Sequence, residues 1–544
     1  MTRIDWSVLS GPRVSRRTLM GVALASGAGA YARQLGLAAP APGVATGAAL
    51  VAAQSEPKAG GTLKLGFGIS QIPNLDPAKV NLGIVAGEVI ANLFSSLVQF
   101  DTELGLIPDL AETWTVSEDG LAYVFTLREG LTFHNGDPLT ANDLVYTYNR
   151  NIDPDFASPH ANKLALITEA TAPDDTTFSV TLSAPFAPFL AVACSRGPGR
   201  ALTPISKRAF EELGEEQFDQ TPVGCGPFML VTDTADLSSS FEMVAFDGWY
   251  GGRPHLDAIE VTIIAEPSSR ISALEAGDVD MLDIVPAIGA AQLGENPDMT
   301  IVQLPGTNWI GLAMNYEREP WATLDARMAV AKAIDRDALV ATAFFGLATP
   351  AIGPIAPAFA WAYVPPDTTE TPQAFNVDEA KALAEKAGIT GSQPTLMGTS
   401  DNQRVAEVLR SQLADIGVDM QFELLQQAAW NERWTAGDFD WIINGSVVDA
   451  DPDDGHWNFF FSEGPWNTFK YKNEEVDTLL QATRETGVQE ERAEQFQQIQ
   501  KILQDDVAYA FLYHTFDVTG FAADVQGYNP IPEMRYLESL WLDR

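Results

Sequence analysis

Asn444-Gly-Ser-Val-Val-Asp-Ala-Asp-Pro-Asp-Asp454, followed by His456 and Trp457, is the richest polar run in the chain. Asp449, Asp451, Asp453 and Asp454 could offer a calcium ion its oxygen ligands. The run lacks the full calcium-loop spacing and its terminal bidentate glutamate, so no calcium site is expected. A solvated acidic turn stopped by Pro452 would account for Asp453 and Asp454. The front of the run reads differently. It leaves the carboxyl end of a strand expected to end at Ile443, and in open α/β sheets ligands sit beyond such ends. The loop Gly398-Thr-Ser-Asp-Asn-Gln-Arg404 leaves a neighbouring strand in the same way. Ser400, Asp401, Arg404, Ser446, Val447, Val448 and Asp449 are therefore candidate ligand contacts.

Enzyme chemistry finds no comparable assembly. An enzyme needs a nucleophile, an acid–base pair or a metal placed together. His134, His160, His255, His456 and His514 include no i, i+4 pair, so no local zinc or nickel cage is signalled. Neither a Gly-x-Ser-x-Gly elbow nor a Walker-type phosphate loop is present. The chain reads as a non-enzyme without a cofactor. A secreted hydrolase would need a catalytic pair in the cleft. Cys194 and Cys225 are compatible with one disulfide or with two small buried thiols. Trp309, Trp430, Trp434, Trp441, Trp457 and Trp466 crowd one region. Most belong in a core, with Trp309 favoured for ligand stacking and Trp457 the second choice.

The elements that would position these groups follow from periodicity and punctuation. Gly60–Phe67 reads as a first strand, running into the turn-prone loop Ser70-Gln-Ile-Pro-Asn-Leu-Asp-Pro77. Tyr123–Arg128 alternates as a half-buried strand, with Glu129-Gly130 and Asn135-Gly136 as the turns of a hairpin. Thr140 and Asp143 form a capping box. Further strands are expected over Thr177–Leu182, Ile259–Ile264 and Trp309–Met314, and a helix over Asp325–Phe345. From Asn376 the pattern alternates regularly. A helix capped by Asn376 and stopped at Gly388 leads to strand Thr395–Gly398. A helix with Val405, Val408, Leu409, Leu413 and Ile416 on one face follows, then strand Val418–Leu424, helix Ala428–Ala436 and strand Phe439–Ile443. That alternation argues for a mainly parallel sheet covered on both faces. Ala493, Phe496, Ile499 and Leu503 mark a last helix before the strand-like Val507–Tyr513.

At 544 residues the chain exceeds what one core supports. Asp and Glu number 73 against 33 Lys and Arg. Such a surface repels nucleic acid and anionic lipid. Ser15-Arg16-Arg17-Thr18-Leu19-Met20 precedes an apolar run of small residues, Gly21–Ala30. This reads as a twin-arginine export signal, and an unstructured leader, Ala38–Ala53, places the mature start near Gln54. No cysteine follows the apolar run, so no lipid anchor is expected, and no later segment is long enough to span a bilayer. A soluble periplasmic protein, monomeric and without nucleic-acid partners, is the expectation.

Several irregular motifs resemble those of the family 5 extracellular solute-binding proteins, the dipeptide- and oligopeptide-binding components of bacterial ABC importers. They are Pro108–Trp114, Ser117–Gly130, Leu131–Pro138, Thr140–Asp143, Asp247–Asp257, Arg270–Asp280 and Ala333–Asp337. Thr221-Pro-Val-Gly-Cys-Gly-Pro-Phe228 also resembles a family motif, with Cys225 where a hydroxyl residue is usual. The resemblance runs from Gly60 to the end. It implies an α/β, two-lobed clamp of the periplasmic-binding-protein type II, with an extra domain in the N-terminal lobe. Residues 54–90, 220–305 and 514–544 would form the core of lobe 1, 91–219 its accessory domain, and 306–513 lobe 2. Residues 1–53 would be the signal and leader. The crossings near Gly306–Trp309 and Tyr513–Phe516, with the first loop, add Ser70, Gln71, Asn308 and Trp309 to the candidate ligand contacts. The implied partners are an inner-membrane ABC permease and a small solute: an oligopeptide, a sugar or an opine-like compound. A receptor feeding a membrane sensor would use the same clamp. In peptide-binding members an aspartate before the Asp-Pro dipeptide pairs with the peptide's α-amino group. Counted back from Asp451-Pro452, that position is Val448 here, and Gly445 replaces the tryptophan usual earlier in the loop.

Overall fold

The computed structural model describes residues 56–365, 371–447 and 449–544, together with Val44–Ala45. Arg16, Arg17, the expected cleavage point and Val448 lie outside the described residues. Within the expected unstructured leader, Val44–Ala45 pairs in parallel with Ile301–Val302.

Two lobes share one continuous strand. In lobe 1, Thr62–Phe67 lies between Ala258–Ile263 and Met281–Leu282, parallel to both. Ser240–Ala245 and Phe228–Leu230 extend the sheet antiparallel. In lobe 2 the order is Gln421–Leu424, Thr395–Gly398, Trp441–Ser446, Trp309–Met314. Ala510–Ala522 joins the two: its first residues pair with Ile310–Leu312 and its remainder with Met299–Pro305 and Met281–Leu282. A strand of 13 residues spans roughly 40 Å at the usual rise, enough to serve both sheets. A separate four-stranded antiparallel sheet runs Ala111–Val116, Ala122–Leu127, Thr177–Leu182, Ile167–Thr171. Among the described residues no helix is long and apolar enough to cross a membrane.

Local signals placed most elements. Thr140 and Asp143 make the capping box of Ala141–Ile152. Asn376 accepts the Glu379 N–H at the start of Val377–Ala387, and Gly388 ends that helix at φ 70, a left-handed conformation that costs glycine nothing.

Four expectations are corrected. The hairpin partner of Ala122–Leu127 precedes it: Ala111–Val116 returns through Ser117–Leu121, where Asp119 accepts the Leu121 N–H and Gly120 takes φ 69. Asn135-Gly136 instead closes a small turn bridging Thr132 and Pro138. The helix expected over 325–345 is two, Leu324–Ala333 and Arg336–Phe344. Asp335 caps the second by accepting the Ala338 N–H at 2.9 Å. Arg336 tucks beneath the break, donating to the carbonyls of Ala331, Ile334 and Phe511. The lobe 2 sheet is mixed, because Trp441–Ser446 pairs antiparallel with Trp309–Met314. The same pairing, Trp309 opposite Ser446, carries the strand expected to end at Ile443 through to Ser446.

Candidate functional site

The parallel strands of lobe 2 end at Gly398, Leu424 and Ser446, where a cleft is expected. The lobes touch at its margin. Ala187 donates its N–H to the carbonyl of Arg484 at 2.8 Å, and Lys163 approaches Asp454 at 4.0 Å. Ala450, on the acidic loop, is buried against the lobe 1 core.

Asp453 is not in the solvated turn expected for it and Asp454. Asp451 caps helix Pro452–Phe460 and receives two bonds from Arg492, at 2.6 and 2.9 Å. Asp453, 2 % exposed, receives two from Arg484, at 2.7 and 2.8 Å. Both arginines come from helices Glu474–Glu485 and Gln489–Asp505, packed beneath the loop. Burying a carboxylate is costly without such a partner, and the bidentate fork fixes its orientation as well. Two of the four carboxylates are thereby occupied. Among the described residues no group of three or more His, Cys, Asp or Glu is placed to hold a metal ion.

Asp449 is different: it is 7 % exposed, and among the described residues no Arg or Lys forms an ion pair with it. Its carboxylate points into lobe 2. A Cβ placed on Gly455 would lie 2.5 Å from Asp449 Oδ2, 3.0 Å from Trp309 Nε1 and 3.1 Å from the Ser446 Cβ. Burial, with Asp454 adding to it, holds the Asp449 carboxyl well above the usual carboxylate range, against the Ser446 hydroxyl and the distant Lys163. Val447, in contrast, is 68 % exposed. The loop therefore turns an apolar side chain outward and its acid inward.

Trp309, expected to stack on ligand, is fully buried. Phe459, Phe460, Tyr509 and Phe511 surround its ring at centroid distances of 5.0 to 5.5 Å, and its backbone N–H donates to Ser446 Oγ at 3.3 Å. It is a core residue because its strand sits between Trp441–Ser446 and Ala510–Ala522. Trp457 is likewise engaged, stacked on Phe461 at 4.0 Å and covered by the Arg484 guanidinium at 3.3 Å. Asn308 ties the crossings together, accepting the Thr515 N–H and donating to Glu533 Oε1 at 3.2 Å. Ser70 and Gln71 are exposed in the first loop of lobe 1. Ser400 and Asp401 are exposed as well, and burial, with Asp401 adding to it, pushes up the Tyr513 phenol on the crossing strand. Arg404 reaches away, to the Ala343 carbonyl and the Phe345 ring of its own lobe.

Cys194 and Cys225 are free, buried thiols, not a disulfide. Cys225 Sγ donates weakly to the Ser95 carbonyl at 3.6 Å, and burial pushes its thiol up to about 12. Arg484, Arg492 and Lys163 at the acidic loop, and Glu533 at the crossings, are partners that the sequence alone did not indicate. A surplus of aspartates before a proline was the available sign that cations must be supplied from elsewhere.

Residues 105–468 match the model of the bacterial extracellular solute-binding proteins, family 5 Middle. The chain belongs to that family. This family 5 solute-binding protein is 30% identical over 462 residues to the probable D,D-dipeptide-binding periplasmic protein DdpA of Escherichia coli, covering 81% of this chain and 86% of DdpA. It is 26% identical to heme-binding protein A of Haemophilus influenzae, covering 88% and 92%. Its fold superposes on the periplasmic binding protein DppA of Helicobacter pylori, solved with the peptide STSA, with a TM-score of 0.78 at 26% identity, over 90% of this chain and 99% of that one. The family 5 protein is thus a periplasmic binding component that works with an ABC transporter.

Proposed function

We propose that the solute carries no free ammonium at the acidic loop: a sugar, an opine-like conjugate or a blocked peptide, held by closure of the two lobes and presented to the permease. The inward turn of Asp449 carries this reading. An ammonium buried against the loop would meet exposed Val447, while the one carboxylate without a cation lies under the backbone beside Gly455 and Trp309. Leaving a buried ammonium without a carboxylate costs several kcal/mol even after relaxation. The likeness to heme-binding protein A supports a ligand other than a free peptide. Polar contacts would come from Ser70 and Gln71 on lobe 1 and from Ser400 and Asp401 on lobe 2. Asn308, Trp309, Ser446, Asp449 and Trp457 would position the cleft and leave the ligand to others.

The likeness to a probable D,D-dipeptide-binding protein favours a second reading, an unmodified short peptide. Mass spectrometry of small molecules released on denaturing protein purified from its native periplasm separates the two. Calorimetry against a di- to pentapeptide library is the companion measurement. Micromolar or tighter binding that depends on a free amino terminus would overturn the first reading. It would make Asp449 the anchor, and Asp449→Asn should then abolish binding.

A further inference from the structure

A cluster of acids lies beside the crossings between the lobes. Glu533 sits in the C-terminal segment beside both crossings. Its carboxylate accepts the Thr307 N–H and the Asn308 side-chain N–H of the first crossing. Its own N–H donates to Asp517 Oδ2, on the second crossing, at 2.9 Å. Glycine at 306 makes room, since a Cβ there would meet Glu533 Oε1 at 2.6 Å and the Thr515 carbonyl at 2.9 Å. The backbone at Glu533 takes φ 61. A residue with a side chain seldom adopts that value, and the surrounding contacts must maintain it. Around it lie the other charges of the hinge. Arg535 bridges Glu88 and Asp517, and Asp283 accepts the Gly68 N–H. Tyr528 meets Thr519, and His514 bonds the Asn308 carbonyl. Four carboxylates share the one arginine at their centre, Arg535, with Arg270 beyond Asp283.

We propose that Glu533 is a proton-operated tie between the lobes: ionised, it binds the two crossings in the arrangement seen here, and protonated, it releases the first crossing and loosens the hinge. The chemistry follows from donors and acceptors. An ionised carboxylate only accepts, which suits the two N–H groups aimed at it; a protonated one spends an oxygen on its own O–H. Glu533 is half-buried, so protons have access. Burial and the neighbouring Asp517, opposed by Arg535 and the two N–H donors, raise its carboxyl to about 7, within the range an envelope compartment experiences. The inference rests on the reading of this protein as a closing clamp.

The test uses energy transfer between dyes on Glu118→Cys, at the exposed turn of the four-stranded sheet, and Glu385→Cys, exposed on helix Val377–Ala387. The buried Cys194 and Cys225 do not label. In protein refolded free of small molecules, transfer should be highest at alkaline pH and fall with a midpoint near 7. Glu533→Gln should give the low-pH value throughout. Asn308→Ser, which removes a donor to the ionised form, should move the midpoint to higher pH, a shift that a purely structural role would not produce. A pH response unchanged in Glu533→Gln, or none in the parent protein, would overturn the switch. Comparison at one pH with protein still carrying its periplasmic contents tests the clamp separately. A difference there without any pH response rejects the switch alone, and no difference in either rejects closure itself.

Discussion

Gly455 and Asp449 define the floor of the acidic loop, and one atom added there tests it. In Gly455→Ala the new Cβ would lie 2.5 Å from Asp449 Oδ2, so the loop must shift or the helix must move. We expect about 1–3 kcal/mol of destabilisation, the usual effect of overpacking, read as a lower urea midpoint at unchanged slope. Arg492→Ala should cost more, about 3–5 kcal/mol, because Asp451 would stay buried without its partner. Trp309 is the decisive aromatic. As a core residue its change to alanine should cost about 3–5 kcal/mol, whereas a residue stacking only on ligand would leave the urea midpoint where it was. These residues show why the site was harder to read than its frame. The sequence displayed four aspartates but not Arg484 and Arg492, which arrive from helices more than thirty positions downstream.

At the scale of elements, reading succeeded where cause and effect are neighbours in the chain. The caps at Thr140 and Asn376 and the stop at Gly388 need only a few adjoining residues, and each stands where its sequence places it. Failures came where pairing is distant. Nothing local to Asn444–Ser446 says that Trp309 will lie opposite and prolong the strand. The split at Asp335 was local yet overridden in the reading by an apolar stripe that continues through both helices. Its physical signal was the cap itself, and Asp335→Ala should cost about 1 kcal/mol, the usual value of a lost N-cap. Calorimetric melting at constant pH checks this.

For the whole molecule, pH dependence follows from groups buried in opposite senses. Burial, acting against Arg535, raises Glu88 to about 8. A carboxyl raised on folding favours the native state at low pH, and that contribution is lost as pH rises through the folded value. Burial lowers His134, His456 and His514 to about 4, and it lowers His160 as well. A histidine lowered on folding contributes above its ordinary value near 6.5 and loses that contribution as pH falls toward 4. Only the acids therefore act between about pH 6.5 and 8.5, where unfolding free energy should decline with rising pH. Glu88→Gln should flatten that decline in urea titrations; curves parallel to the parent's would refute the assignment. Export is the other molecular-scale expectation. Changing Arg16 and Arg17 to lysine should leave uncleaved precursor inside the cell, detected by immunoblot of fractions, and normal delivery would show the signal misread.

The strand Ala510–Ala522 belongs to both lobes and comes almost last in the chain. During synthesis, neither sheet can acquire its central member until residues 510–544 have left the ribosome. Both sheets therefore gain that member together, when this one strand arrives. A premature stop before Ala510 would not yield a usable half-clamp, because each lobe would expose an open sheet edge to its neighbours.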